Sequence, residues 1–258
     1  FPTEVAETGA YHIIHKGIYL GSGVDAEFDG KANNLAGNDG ITGDDGTLSD
    51  YVEGSISNND DEDGIEFITP MIPNHEACIE VTSTVTNGTG VLNAWIDFNG
   101  DGDFENDSNE QLVFKSIDGI AISETSEGAI PNGTVTQTFC FDVPASATFD
   151  SGETHSRFRL SPSGGLNYDG EAIGGEVEDY WKPFAKVGNL VWRDYEFEGD
   201  QDEPTYDGFN GVGVELIWAG QDGVLGNNDD VTYSTTTSNI DGENGKYCFY
   251  GLTPDDYI

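Results

Sequence analysis

The residues best suited to chemistry are Asp97-Phe98-Asn99-Gly100-Asp101-Gly102-Asp103-Phe104-Glu105, followed by Glu110. Side-chain oxygens recur at positions 1, 3 and 5 of this run. Glycine at position 6 supplies the sharp bend that lets a chain close around one ion. The chemistry is hard-oxygen coordination of Ca²⁺, with Asp97, Asn99 and Asp101 as side-chain ligands and the carbonyl of Asp103 at position 7. Position 12 is Ser108, which has no carboxylate, so Glu110 is the expected distal ligand. A strand-like run precedes the loop, where the familiar twelve-residue calcium loop has a helix.

A second loop repeats the spacing with longer side chains: Asp194, Glu196, Glu198 and Gly199, then Asp200, Asp202 and Glu203. A third, Asp222 to Asp230, joins two strands and offers Asp222, Asp229 and Asp230. A fourth set is scattered. Asp25 and Glu27 lie in a long polar stretch, Asp61 and Asp63 near its end, and Glu176, Glu178 and Asp179 much further on. Were these seven to converge, their mutual repulsion would demand a cation. The plain alternative for each set is a solvated acidic turn.

Other chemistries find little purchase. No carboxylate pair suited to glycoside hydrolysis stands out among 49 acidic residues. His12 and His15 would face opposite sides of a strand, and His75 and His155 have no local partners, so a zinc site is not expected. Gly21-Ser22-Gly23 lacks the strand-turn-helix context of a nucleophile elbow. The three cysteines include no Cys-x-x-Cys pair. Trp95, Trp181, Trp192 and Trp218 read as core or junction packing before sugar stacking. The chain is not expected to be an enzyme, and calcium is its one expected cofactor.

The elements that must position these loops are short strands. Apolar runs at 77–85, 91–98, 111–115, 134–143 and 155–161 are each bounded by Gly, Pro, Asn or Asp, the rhythm of an antiparallel sandwich. In the first, Ile79, Val81 and Val85 share one face and Cys78 lies on the other. In the fourth, Val135, Phe139, Phe141 and Val143 share one face and Cys140 lies on the other. Bringing the apolar faces together puts both thiols on one side of the sheet, so a Cys78–Cys140 disulfide is expected, with Cys248 outside it. The pattern restarts near 181–188 and continues through 187–193, 211–218, 231–237 and 246–252. The reading is therefore all-β, with a first module over residues 1–185 and a second over 186–258.

Composition narrows the classes. Against 49 Asp+Glu there are 9 Lys+Arg, a net charge of −40. No basic surface for nucleic acid or anionic lipid can be built from so few cations. No apolar run is long enough to span a bilayer as a helix. Such charge opposes compaction unless salt or bound cations offset it. Acids clustered in loops with fixed spacing favour cations over a halophile's even spread. Phe1 opens a polar segment unlike a signal peptide, and the chain reads as a mature or trimmed piece of a longer exported protein.

Five ordered motifs carry a family resemblance. They are Leu20-Gly-Ser-Gly-Val-Asp25-Ala-Glu27, Asp60 to Ile65, Leu92 to Phe104, Arg157-Phe-Arg159-Leu-Ser161 and Gly175-Glu176-Val-Glu178-Asp179-Tyr180. Through them residues 10–184 resemble the GEVED domain of bacterial surface proteins. Val187 to Asp194 and Gly245 to Leu252 make residues 186–258 similar to a B-type repeat of the serine–aspartate repeat adhesins. That resemblance implies a calcium-rigidified, immunoglobulin-like sandwich used as a stalk or spacer. The whole reads as two consecutive antiparallel β-sandwich modules with calcium-binding loops. Its expected setting is a large secreted or cell-surface bacterial protein. Expected partners are neighbouring modules of the same chain, a surface polysaccharide or a host or cell-surface protein. Two alternatives stay open: a polysaccharide-binding accessory module of a secreted hydrolase, and a subunit of an extracellular filament.

Overall fold

A computed structural model describes residues 9–13, 17–23, 62–105, 109–149, 153–200 and 208–253. Among the sequence-expected ligands, Asp25, Glu27, Asp61, Asp202 and Glu203 lie outside the described residues. No described residue is helical.

The first group of strands is β1 (Tyr11–Ile13), β2 (Ile18–Leu20), β3 (Ile65–Phe67), β4 (Glu76–Val85), β5 (Gly90–Ile96), β6 (Phe114–Ile117), β7 (Ile120–Thr125), β8 (Gly128–Ile130), β9 (Gly133–Asp142), β10 (Glu153–Ser161), β11 (Glu171–Ile173) and β12 (Glu176–Pro183). One sheet runs β2-β4-β9-β6-β7, with β3 also on β4; the facing sheet runs β12-β10-β5-β8. The period-2 pattern explains the layering. Ile79, Val81, Phe114, Phe139 and Phe141 from the first sheet meet Leu92, Ala94, Ile96, Phe158 and Leu160 from the second, all buried in one cluster. Full burial of such side chains contributes roughly 1.5–3 kcal/mol each.

The β4–β9 ladder pairs Cys78 directly with Cys140, and the two form a disulfide. Their Cα atoms are 4.1 Å apart, the close approach of a pair not joined by ladder hydrogen bonds. The Cys78 amide instead donates to Thr69 Oγ1 at 2.7 Å. At one end of the ladder Glu76 faces Asp142, a like-charge pair that would repel. Lys115 on the neighbouring β6 lies 3.2 Å from Glu76 and 2.5 Å from Asp142 and offsets it.

The sequence reading treats Glu176 to Asp179 as a segment after the last strand of the first module; the structure makes it an edge strand, β12. Alternation sends Glu176 and Glu178 toward the other sheet, where backbone donors are waiting. Leu20 N donates to Glu176 Oε2 at 2.5 Å, and Gly64 N donates to Glu178 Oε1 at 3.2 Å. Tyr180 hydroxyl accepts from Ile65 N at 3.0 Å and donates to Glu178 Oε2 at 2.9 Å. The acidic motif thereby fastens the edge of one sheet to the edge of the other.

The second group is β13 (Ala185–Leu190), β14 (Gly213–Trp218), β15 (Val231–Thr236), β16 (Ser238–Ile240) and β17 (Glu243–Leu252). It forms a three-stranded sheet, β13-β17-β16, and a β14-β15 hairpin. Leu216, Trp218, Tyr233, Phe249 and Leu252 are buried between them. Phe249 takes the core side of β17, with Tyr247 packed partly against the same cluster. Cys248, between them, is half-buried and outside the disulfide.

Candidate metal centre

The Asp97 loop starts where β5 ends. Asp97 is 2 % exposed, and its carboxylate organises the turn. Oδ1 accepts from Gly100 N at 2.6 Å and Oδ2 from Gly102 N at 3.1 Å. Both glycines take positive φ, +74° and +89°, so the chain can curl back over the carboxylate. Asn99 Oδ1 accepts from Asp101 N at 2.7 Å, and Asp101 Oδ1 accepts from Asp103 N at 3.1 Å.

Glu110 comes to the same place by a different route. Ile96 N donates to the Glu110 carbonyl at 2.9 Å and Leu112 N to the Ala94 carbonyl at 2.8 Å. This short pairing on the end of β5 sets Glu110, 1 % exposed, beside Asp97. Oxygens of Asp97, Asp101 and Glu110 lie within 4.8 Å of one another. Burial pushes the Asp97 carboxyl up from its ordinary value, and the Asp101 charge adds to this; the Gly100 and Gly102 amides oppose it. Three hard oxygen donors, two of them withdrawn from water, are the donor type that Ca²⁺ takes. Asn99 and Asp103 spend their side chains on the loop itself: Asn99 Nδ2 donates to Asp101 Oδ2 at 2.9 Å, and Asp103 Oδ1 accepts from Glu105 N at 2.7 Å.

The other sets are arranged differently. In the second loop Asp194 accepts from Phe197 N at 2.6 Å and Gly199 N at 2.9 Å, while Glu196, Glu198 and Asp200 are exposed. In the third, Asp222 Oδ1 accepts from Val224 N at 2.8 Å, and Asp230 Oδ2 accepts from Gly226 N at 2.6 Å. Asp229 stands against Gly220, where a Cβ would lie 2.1 Å from Asp229 Oδ2. Of the scattered set, Asp63 Oδ1 accepts from Ser22 N at 2.8 Å, and Glu176 and Glu178 fasten the sheet edges as above. Asp179 points to the opposite face of β12 and forms a two-pronged pair with Arg157: Arg157 Nε donates to Oδ1 at 2.6 Å and Nη2 to Oδ2. Among the described residues, one other cluster has metal-ligand spacing, Glu76 with Cys78 and Cys140, and its two sulfurs are already joined.

Two buried arginines lie on β10, and the first of them ties the Asp97 loop to the rest of the sandwich. Arg157 and Arg159 alternate with core-facing Phe158 and Leu160 on β10, so they share its outer side. Arg157 Nη1 donates to the Tyr168 carbonyl at 2.7 Å, and its guanidinium lies 5.9 Å from the ring of Phe104, the last apolar residue of the loop. Phe104 also meets Tyr168, centroids 6.1 Å apart. Arg159 donates to the carbonyls of Asn167, Asp169 and Gly170 at 2.6–2.8 Å. Its Nε donates to His12 Nε2 at 3.1 Å, while His12 Nδ1 lies 3.0 Å from the Gly174 carbonyl. Burial, then the Arg159 charge, holds the His12 pKa down to about 3. The arginines appear in the sequence only as part of a family motif. Their signal is the choice of two of nine cations for alternate positions of a strand, around Phe158 and before Leu160.

The fold and site thus define an all-β chain with two hydrophobic clusters and a carboxylate-lined loop in the first. Residues 91–182 match the family model described as GEVED domain, and residues 185–258 match the one described as SdrD B-like domain. This is the order the sequence motifs predict, and the first match includes the Asp97 loop, both arginines and the β12 acids. No curated protein and no solved structure matches the chain.

Proposed function

We propose that this chain is a calcium-stabilised, non-enzymatic pair of structural modules in a secreted or surface-attached bacterial protein, serving as a stalk or adhesive spacer. The observation that carries the reading is the convergence of Asp97, Asp101 and Glu110 at the end of β5. Two of these carboxylates are buried in a chain of net charge −40, where a divalent cation would relieve their repulsion. The two family matches support a surface-protein module, and the Cys78–Cys140 disulfide supports an oxidising compartment. In this reading Asp97, Asp101 and Glu110 hold the ion. The ion supplies charge compensation and pins the loop to the following strand.

Calorimetric titration with Ca²⁺ and thermal melts in calcium and in EDTA test the proposal. Extracellular sites bind at roughly 10⁻⁴–10⁻³ M, so 10 mM calcium should stabilise by about 1–3 kcal/mol through linkage, a rise of a few degrees. Asp97→Ala should abolish that rise. Coincident melts in calcium and EDTA would overturn the reading.

A further inference from the structure

The turn at residues 71–75 contributes to both clusters of apolar side chains. Met71 is fully buried in the first cluster, while its neighbour Ile72, 4 % exposed, lies in the second with Leu216, Trp218, Tyr233, Phe249 and Leu252. Consecutive residues therefore enter different cores. Met71 N donates to the Gly251 carbonyl at 2.8 Å. Gly251 has φ +73°, and a Cβ there would stand 2.0 Å from the Met71 carbonyl oxygen, so the two backbones touch without room for a methyl group. Beyond them the His75 imidazole stands edge-on to the Tyr233 ring, centroids 5.0 Å apart. The turn is firmly held on its own side: Asn74 N donates to the Val143 carbonyl at 3.1 Å, and Val143 N donates back to the His75 carbonyl at 2.9 Å.

We propose that the 71–75 turn is a clip that completes the core of the second sandwich. The face formed by Leu216, Tyr233, Phe249, Gly251 and Leu252 is an acceptor surface for an apolar turn presented by the module ahead of it in the chain. The second cluster has six buried members, and the first sandwich donates one of them. A module this small buries little apolar surface of its own, so losing one side chain in six weakens it disproportionately. With the clip seated, the two sandwiches cannot swivel about Phe184, which is itself buried against Phe149. This inference is independent of bound metal.

The test uses the whole chain and two chemical reporters. Alkylation of Cys248 in β17 reports opening of the second sandwich, and the reduction rate of Cys78–Cys140 reports opening of the first. Ile72→Ala should accelerate Cys248 alkylation by at least about thirtyfold, the low end for truncating a buried isoleucine, and leave disulfide reduction unchanged. Ile72→Val, which keeps most of the side chain, should fall between wild type and Ile72→Ala. Either of two outcomes overturns the proposal. Cys248 alkylation could be unaffected by Ile72→Ala, or both reporters could accelerate together, making Ile72 an ordinary core residue of the first sandwich.

Discussion

Asp97 and Asp194 hold their loops by the same two bonds. Each accepts the amide three residues on through Oδ1 and the amide five residues on through Oδ2: Gly100 and Gly102 in one loop, Phe197 and Gly199 in the other. The outcomes are opposite. Burial pushes the Asp97 carboxyl up, whereas the amides of Gly199 and Phe197 hold the exposed loop's Asp194 down. One local device thus sits in two environments, with burial deciding the direction in the first and the loop's own amides in the second.

From this contrast, Asp97→Ala should be the more damaging substitution. It removes the buried carboxylate and the two part-buried hydrogen bonds that close the turn, and should cost about 1–3 kcal/mol even without calcium. Asp194→Ala should cost measurably less, because water replaces the carboxylate. Denaturant midpoints of the two variants in EDTA check the order; equal losses would contradict it.

Phe197 should be replaceable with profit. It sits at φ +58°, 91 % exposed, where the Asp97 loop has Gly100 at φ +74°. A left-handed conformation costs an ordinary residue about 1–2 kcal/mol, and asparagine tolerates it far better. Phe197→Asn should raise stability by about 0.5–1 kcal/mol, read as a higher denaturant midpoint at unchanged slope. A lower midpoint would mean that the exposed ring has a packing role.

Removing the disulfide should cost more than any single surface change. The bonded cysteines are 62 residues apart, and closing a loop of that length stabilises by about 4 kcal/mol in the chain-entropy model. Cys78→Ser with Cys140→Ser should show a loss of that order in equilibrium unfolding. Peptide mapping without reductant should find Cys248 alone alkylated after denaturation.

His12 should make stability depend on pH. Its folded-state pKa is held down to about 3, against an ordinary value of 6.5. Between those values the unfolded chain binds a proton that the folded chain does not, so stability is intact above about pH 6.5 and falls as pH drops toward 3. The carboxylates add slopes of their own, so the informative quantity is the difference between wild type and His12→Gln. That difference should change by about 1.4 kcal/mol per pH unit across the window. Parallel pH profiles would show that His12 does not stay neutral in the folded protein.

The sequence by itself determined what depends on neighbours a few residues apart. Strand faces at Ile79, Val81, Phe139 and Phe141 follow from a period of two, and the Asp97 loop follows from glycines at the positions where the chain must bend. It also narrowed the disulfide to Cys78 and Cys140, because both lie on the faces turned from the core. Their register was decided by the ten-residue β4–β9 pairing. Tertiary structure alone decided the rest. Glu176 to Asp179 read as a loop because acids are poor strand formers, yet a sheet edge offering the amides of Leu20 and Gly64 makes them a strand. Glu110 is the distal ligand expected from its place after the loop, but what sets it beside Asp97 is the pairing of residues 110–112 with the end of β5. Ile72, one of two apolar residues confined between Pro70 and Pro73, gave no periodic signal at all. Its place in a second core exists only once two sandwiches are packed together, since burial is a property of the surfaces that meet and not of the residue that fills the gap.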